Sequence, residues 1–289
     1  MSKVKEIQGK EFRTLQMIQF QMLIEFDRVC RKNNIHYSID GGTLLGAVRH
    51  KGFIPWDDDI DIAMLREDYE KLKTVVNEFD PEICFFQDHE TDPAYRWGYG
   101  KLRRTGTVFI RAGQEHINCK TGVFIDIFPL DDVPKSLAGQ MMLDFFCFCL
   151  RKILWSEVGK YKETNRWKRF GYFLLSKISP KVVFSLSGMF EKKSRNNSEN
   201  RVRILLLPSN GKYYDVTNPI RERYSMPKEW YRHYVEYEFE GVRFWGIKEY
   251  DAYLKYVYGD YMSLPPETDR VAHAPVSYYD FNGLGGDQP

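Results

Sequence analysis

The chain has 289 residues, which suits one large domain or a core with an appended subdomain. Hydrophobic residues make up 43% of it, so a core can be buried, and the net charge of +2 excludes a protein that binds polyanions through overall charge. The five scattered cysteines argue against a disulfide framework and fit a reducing compartment. The polar residues 1–12 predict no secretory signal, and no apolar run approaches the roughly 18 residues of a membrane span. We therefore expect a cytoplasmic protein, with peripheral contact to the inner membrane face as an open alternative.

The first part of the chain, residues 1–135, is predicted to be an α/β (α+β) core. Apolar residues at spacings of three and four from Leu15 to Val29 indicate an amphipathic helix that ends near Asn33. A second helix should start near Leu44, capped by Thr43. A third helix is expected over residues 67–79. Alternating or apolar runs predict strands over residues 35–39, 60–64, 82–86, 99–103 and 123–128.

The rest of the chain changes character after Pro134. Residues 141–207 read as helical, aromatic and basic, and we interpret residues 136–207 as an insertion. Residues 208–289 would then form a C-terminal segment that packs on the core and completes the acceptor side. Within it, Glu240-Gly241 is typical of a hairpin turn, and a last helix over residues 249–258 should stop at Gly259. The Pro265-Pro266 stretch and the glycine-rich end are expected to be irregular.

The acidic segment Trp56-Asp57-Asp58-Asp59-Ile60-Asp61 is the strongest chemical signal. On a strand, Asp59 and Asp61 would share one face at roughly 6–7 Å, where two carboxylates repel by roughly 2–3 kcal/mol. A divalent cation between them turns that repulsion into a binding site, and carboxylates are hard ligands of the kind that Mg²⁺ or Mn²⁺ takes. A solvated acidic turn is the alternative, which the apolar neighbours Trp56 and Ile60 weaken.

Asp126 is the second signal, because it lies in a strand whose two faces both look buried. An unpaired carboxylate there would be costly, so a metal ion or a cationic partner such as Lys101 or Arg103 should accompany it. With Asp59 and Asp61, it would complete a phosphoryl-transfer site and could serve as the catalytic base. A structural salt bridge remains the alternative.

Glycine and basic residues supply candidate phosphate ligands. Gly41, Gly42 and Thr43 follow a strand and open a helix, where backbone amides favour phosphate. Arg49 follows that helix and could neutralise phosphate or simply face solvent. By alternation, Lys101 and Arg103 share one strand face that can line the same pocket.

The basic aromatic middle leaves three interpretations open. It can be a solvated helical face, an amphipathic surface for an anionic membrane, or a nucleic-acid-binding surface. The first two are favoured, since no base-stacking motif is present, and we expect no nucleic-acid partner.

The sequence closely resembles the LicD family, which includes bacterial choline phosphotransferases and is related to fukutin and fukutin-related protein. The resemblance is carried by Tyr37-Ser38-Ile39-Asp40-Gly41-Gly42-Thr43-Leu44-Leu45-Gly46 with Gly52-Phe53-Ile54-Pro55-Trp56-Asp57-Asp58-Asp59-Ile60-Asp61. Three further stretches match: residues 122–131, the turn at 239–241, and residues 258–266. Together they cover most of the chain, while the basic middle matches nothing familiar.

The resemblance implies a nucleotidyltransferase-type fold with a glycine turn for donor phosphates. It implies that Asp59 and Asp61, with Asp126 less securely, form the metal-binding catalytic set. It further implies a nucleotide-activated alcohol donor of the CDP-choline type and a glycan or lipid-linked glycan acceptor. A metal-dependent glycosyltransferase and a non-catalytic membrane- or partner-binding protein on the same fold are the rival interpretations. A nucleic-acid nucleotidyltransferase ranks third.

Overall fold

The computed structural model describes residues 6–195, 198–207, 224–272 and 275–284. The chain starts with α1, Gly9–Lys32, as the apolar spacing predicts. Its inner face carries Leu15, Met22, Phe26 and Val29, which are fully buried against the sheet. This helix is the support on which the core strands lie.

A mixed sheet forms the centre of the molecule, in the strand order β1-β2-β6-β4-β3. Strands β2 and β6 are parallel, whereas the other neighbours in this order pair antiparallel. The strands of this order are β1 (Ser38–Ile39), β2 (Asp61–Leu65), β3 (Cys84–Gln87), β4 (Gly100–Arg104) and β6 (Phe124–Pro134). The mixture of strands and helices confirms the α+β prediction.

Two helices and a short turn connect these strands. Helix α2, Gly41–His50, joins β1 to β2, and α3, Arg66–Thr74, follows β2. A 3₁₀ turn, Val76–Glu78, completes the region that was predicted as one longer helix. The helix breaks at Val75, so residues 67–79 are not continuous.

Two further strands were not predicted from the sequence, and they pair with each other. Strand β5, Val108–Arg111, pairs antiparallel with β11, Val276–Asp280, near the C-terminus. The expectation of an irregular end is therefore wrong for residues 276–280, while residues 285–289 lie outside the described part of the chain.

The basic middle contains three helices and a strand. The helices are α4 (Leu137–Lys162), α5 (Arg166–Leu175) and α6 (Pro180–Arg195). Strand β7, Ser198–Arg203, then pairs with the far half of β6 and with β8, Met226–Pro227, so the prediction of helix up to residue 207 is wrong at this strand. A second apolar cluster, built on Val133, Leu150 and Leu205, holds α4 and α6 against β6.

No single helix in the described ranges has both the length and the apolar composition that crossing a membrane requires. Helices α5 and α6, taken together as far as Lys192, meet those criteria, but the chain bends by 79° between them.

The C-terminal segment adds a hairpin and a helix to the core. Strands β9, Tyr234–Phe239, and β10, Val242–Ile247, are joined by Glu240 and Gly241, both with positive φ, as the turn prediction requires. Helix α7, Tyr250–Tyr258, ends at Gly259 as predicted. Further 3₁₀ turns cover Lys228–Tyr231 and Glu267–Asp269.

Candidate functional site

The start of α2 is tied to the start of β2 by two hydrogen bonds. The Asp40 N–H donates to the Asp61 carbonyl at 2.9 Å, and the Asp61 N–H donates to the Thr43 hydroxyl at 2.9 Å. Thr43 therefore does not cap α2, which begins two residues earlier after Asp40. Its buried hydroxyl instead fixes the glycine turn against the first acid of β2.

Both glycines of the turn lie against carboxylates. A Cβ atom on Gly42 would be 2.6 Å from the Asp57 Oδ2 atom, which is closer than real side chains approach. A Cβ atom on Gly41 would lie 3.3 Å from Asp61 Oδ2, and Gly41 also has a φ of +51°. Glycine is thus required here both for the backbone conformation and for the close approach of the acids.

The acidic loop before β2 brings three carboxylates together. Oxygen atoms of Asp57, Asp58 and Asp59 lie within 4.8 Å of one another. Helix α1 holds this loop, because the buried Gln16 and Gln19 side-chain amides donate to the carbonyls of Asp57 and Asp58 at 3.0 and 2.9 Å. Asp59 precedes the strand rather than lying on it, since β2 begins at Asp61.

Asp61 and Asp126 are direct neighbours on the parallel strands β2 and β6. The Asp126 N–H donates to the Ile60 carbonyl at 2.9 Å, which fixes this register. Burial raises the pKa of Asp61 well above its usual range, and the charges of Asp59 and Asp126 raise it further.

The donor set fits a divalent metal ion. Four carboxylates, those of Asp40, Asp57, Asp59 and Asp126, act electrostatically on the buried carboxylate of Asp61 and raise its pKa. Clustered carboxylate oxygens are the hard ligands of a Mg²⁺ or Mn²⁺ site. Among the described residues, the three carboxylates within 4.8 Å of one another are Asp57, Asp58 and Asp59. The set of Asp59, Asp61 and Asp126 stays a prediction.

Lys101 forms a buried ion pair with Asp126, from the facing position on β4. Its ammonium also lies 3.4 Å from the centre of the Phe124 ring. Burial lowers the pKa of Lys101 to about 7, against the raising effect of Asp126. The salt bridge that was considered as the alternative for Asp126 therefore exists, and it lies beside Asp61 within the same cluster.

The two predicted arginine ligands lie in different surroundings. Arg103 is buried, and its guanidinium donates to the Gln87 side chain and, at 2.8 Å, to the Gly122 carbonyl. Arg49 donates to the Tyr261 carbonyl at 2.8 Å and lines a cavity beside Gly42. Arg103 is thus engaged with the protein interior, and a phosphate-binding role for either arginine stays a prediction.

Arg111 is a site residue that the sequence analysis missed. Its guanidinium nitrogen lies 3.8 Å from Asp59 Oδ2 and its Cζ atom 5.0 Å from the Phe124 ring centre. The β-branched and aromatic run Val108-Phe109-Ile110 could have indicated a strand that ends at a cation, Arg111. Its position beside Asp59 depends on β11, which no local pattern links to β5.

Asp40 was also missed as a buried acid behind the glycine turn. Tyr231 donates to its carboxylate at 3.0 Å, and the Gly41 N–H donates to the Tyr253 hydroxyl at 3.2 Å. Burial raises the pKa of Asp40 to about 6, although both tyrosines act to lower it. The segment after β8 and helix α7 thus hold the glycine turn in place through Tyr231 and Tyr253.

A cavity of about 430 Å³ opens on the glycine turn. Its walls include Gly42, Arg49 and Asp57, and two aromatic residues of the C-terminal segment, Tyr258 and Tyr261. Trp245, from the same segment, stacks on His36 at 5.6 Å between ring centres.

The sequence is similar to those of known proteins. The family described as LicD/FKTN/FKRP, nucleotidyltransferase domain, matches residues 34–148, which contain the glycine turn, the acidic loop and Asp126. The lipopolysaccharide cholinephosphotransferase LicD of Haemophilus influenzae is 30% identical over 277 residues, which cover 90% of this chain and 95% of that protein.

Two shorter similarities lie in other organisms. An uncharacterized protein of Rickettsia prowazekii is 43% identical over 74 residues, or 26% of each chain. The human ribitol 5-phosphate transferase FKRP is 50% identical over 34 residues, which are 12% of this chain and 7% of that protein. The chain therefore belongs to the LicD family of phosphotransferases.

Proposed function

We propose that this protein transfers a phosphorylated alcohol, in the first place phosphocholine from CDP-choline, to a sugar hydroxyl of a cell-surface glycan or glycolipid. The proposal includes a Mg²⁺ or Mn²⁺ ion as cofactor. One observation carries it: the Asp61 carboxylate lies beside the N-terminus of α2 and in register with Asp126. The similarity over 90% of the chain to a lipopolysaccharide cholinephosphotransferase supports the choice of substrates.

The reaction would be an in-line attack of the sugar hydroxyl on the phosphorus that carries the alcohol. The new bond joins the sugar oxygen to this phosphorus, the bond to the bridging oxygen breaks, and CMP leaves. A metal ion at the acids, when bound, would hold the donor phosphates and offset their charge. Asp126, or a neighbouring acid, would accept the hydroxyl proton.

The cations of the site suit a phosphate-bearing donor. Lys101 and Arg111 both lie near the Phe124 ring, at 3.4 and 5.0 Å from its centre, and both contact acids of the cluster. They can stabilise the charge that develops on the phosphoryl oxygens. The cavity beside Gly42 would take the donor, where Tyr258 and Tyr261 offer aromatic faces to a quaternary ammonium group.

A donor screen tests the proposal. The purified protein is incubated with a glycan acceptor and CDP-choline, CDP-ribitol, CDP-glycerol, CDP-ethanolamine or a UDP-sugar, and products are read by mass spectrometry. The expected product is the acceptor plus the mass of one phosphoalcohol, with release of CMP. Sugar transfer from the UDP-sugar alone would replace the proposal with the glycosyltransferase interpretation.

A further inference from the structure

Helix α4 is apolar on two opposite faces, although only one of them is covered along its whole length. Its inner face, with Leu143, Leu150 and Leu154, is at most 5% exposed. Its outer face carries Phe145, Phe148 and Trp155, which are 39 to 63% exposed. A helix that is apolar all round is normally buried on all sides, so the outer face of α4 lacks the partner that its composition suits.

Helix α5 packs on the far end of that outer face and presents a new apolar face. Tyr172 is its inward residue, because it lies over Gly159 of α4, where a Cβ atom would be 2.6 Å from the ring. Trp167, Phe170 and Leu174 recur at spacings of three and four on the opposite side and are 53 to 85% exposed. The exposed aromatic side therefore points away from the protein.

The charge around these helices favours a lipid surface over a protein surface. Residues 151–181 contain nine Lys or Arg residues and two Glu residues, and six of the nine are lysines. Lysine is depleted in protein–protein interfaces. Basic residues beside Trp, Phe and Leu, in contrast, are the composition of helices that lie in the interface of an anionic membrane.

A cavity of about 550 Å³ lies between the outer face of α4 and the core. Phe148 and Trp155 line it on the helix side, and Tyr99 lines it on the core side. The Tyr99 ring centre lies 5.2 Å from the ammonium of Lys101, the partner of Asp126. A lipid-anchored acceptor that enters this cavity from a membrane at α4 would contact Tyr99, next to the ion pair of Lys101 and Asp126.

We propose that α4 and α5 dock on the surface of an anionic lipid bilayer through Phe145, Phe148, Trp155, Trp167, Phe170 and Leu174. The neighbouring lysines and arginines contact the lipid phosphates. The route from the bilayer to Asp126 rests on the proposed function, whereas docking itself does not.

Flotation of the full chain with vesicles tests docking. Vesicles of phosphatidylcholine alone are compared with vesicles that also contain phosphatidylglycerol, at low and high salt. The double variant Trp167→Ser/Phe170→Ser should lose about tenfold or more in partitioning to anionic vesicles. Its matched control is Ile24→Ser, which changes an apolar residue on α1 that is 41% exposed.

The charge contribution is tested with Lys168→Glu, which should weaken binding to anionic vesicles about tenfold at low salt. Lys10→Glu is its control.

The expected result is salt-sensitive binding to anionic vesicles that only the α5 variants reduce. Equal partitioning to both vesicle types, or unchanged partitioning of the double variant, would overturn the proposal. A folded protein that binds neither vesicle would also overturn it and would leave a protein as the occupant of these faces. Transfer to a water-soluble acceptor fragment is measured separately: its absence would count against the proposed function, while the flotation result would still decide on docking.

Discussion

At the scale of single residues, the glycine turn is defined by how closely carboxylates approach it. Gly42 lies inside α2 with ordinary helical geometry, so the reason for glycine there is space rather than backbone conformation. The 2.6 Å approach of Asp57 to a Cβ atom at this position means that any side chain must displace the carboxylate.

The variant Gly42→Ala should therefore separate activity from stability. Alanine favours a helix by about 1 kcal/mol over glycine, so the fold should persist. Displacement of Asp57 should lower transfer about tenfold or more, since misplacement by about 1 Å can cost a hundredfold. Gly188→Ala, in α6 with no atom near its Cβ position, is the control and should leave transfer unchanged. Thermal unfolding and initial rates of both variants give the comparison; equal rates would contradict it.

Asp40 should make stability depend on pH in a specific direction. Its folded pKa of about 6 is above the ordinary value of 3.8, so the folded state holds the proton more tightly than the unfolded state. The resulting stabilisation is complete below about pH 4 and is lost as the pH rises through 6. The shift corresponds to about 3 kcal/mol.

Asp40→Asn mimics the protonated form and should remove this contribution. In denaturant titrations with EDTA, the wild type should lose stability relative to the variant between about pH 4 and pH 7. Parallel curves for the two proteins across this range would show that Asp40 is not held with a raised pKa.

At the scale of elements, the pairing of β2, β6 and β4 places Asp126 between Asp61 and Lys101. The same carboxylate can therefore serve a metal ion, an ion pair or both. The two roles predict different consequences, because an unpaired buried cation affects stability whereas a lost ligand affects metal affinity.

A double-variant comparison separates these roles. Asp126→Asn should lower stability by up to about 3–5 kcal/mol, because Lys101 loses its buried partner. Adding Lys101→Met removes that cation and should recover most of the stability. If Asp126 is a metal ligand, Mn²⁺ affinity by calorimetry should stay about tenfold or more below wild type in both variants. Wild-type metal affinity in the stable double variant would restrict Asp126 to a structural role.

At the scale of the whole molecule, distant parts of the chain meet at one site. Helix α1 holds the acidic loop, the segment after β8 and helix α7 close behind the glycine turn, and β11 positions Arg111 through β5. Helix α4 starts three residues after the end of β6, so the helix with the exposed aromatic face follows directly on the strand that carries Asp126.

The sequence could predict those elements that depend on neighbouring residues alone. The apolar period predicts α1, Glu240-Gly241 predicts the hairpin turn, and Gly259 predicts the end of α7. Strand β7 could not be predicted in this way, since Glu199, Asn200 and Arg201 show no strand pattern in the sequence. The strand depends on its pairing with β6 and β8. The place of Arg111 depends on β11, far along the chain, and the Thr43 hydroxyl was assigned to a cap although the approach of β2 gives it a different partner.

The central claim is that the acids around Asp61 support metal-dependent transfer of a phosphoalcohol. The most direct measurement follows transfer from the donor found in the screen, with Mg²⁺ or with EDTA, for the wild type and for Asp61→Asn. We predict that the wild type forms product with Mg²⁺ but not with EDTA. The folded Asp61→Asn variant should lose about a hundredfold or more in transfer rate with Mg²⁺. Transfer by the wild type in EDTA, or wild-type turnover by Asp61→Asn, would contradict the account.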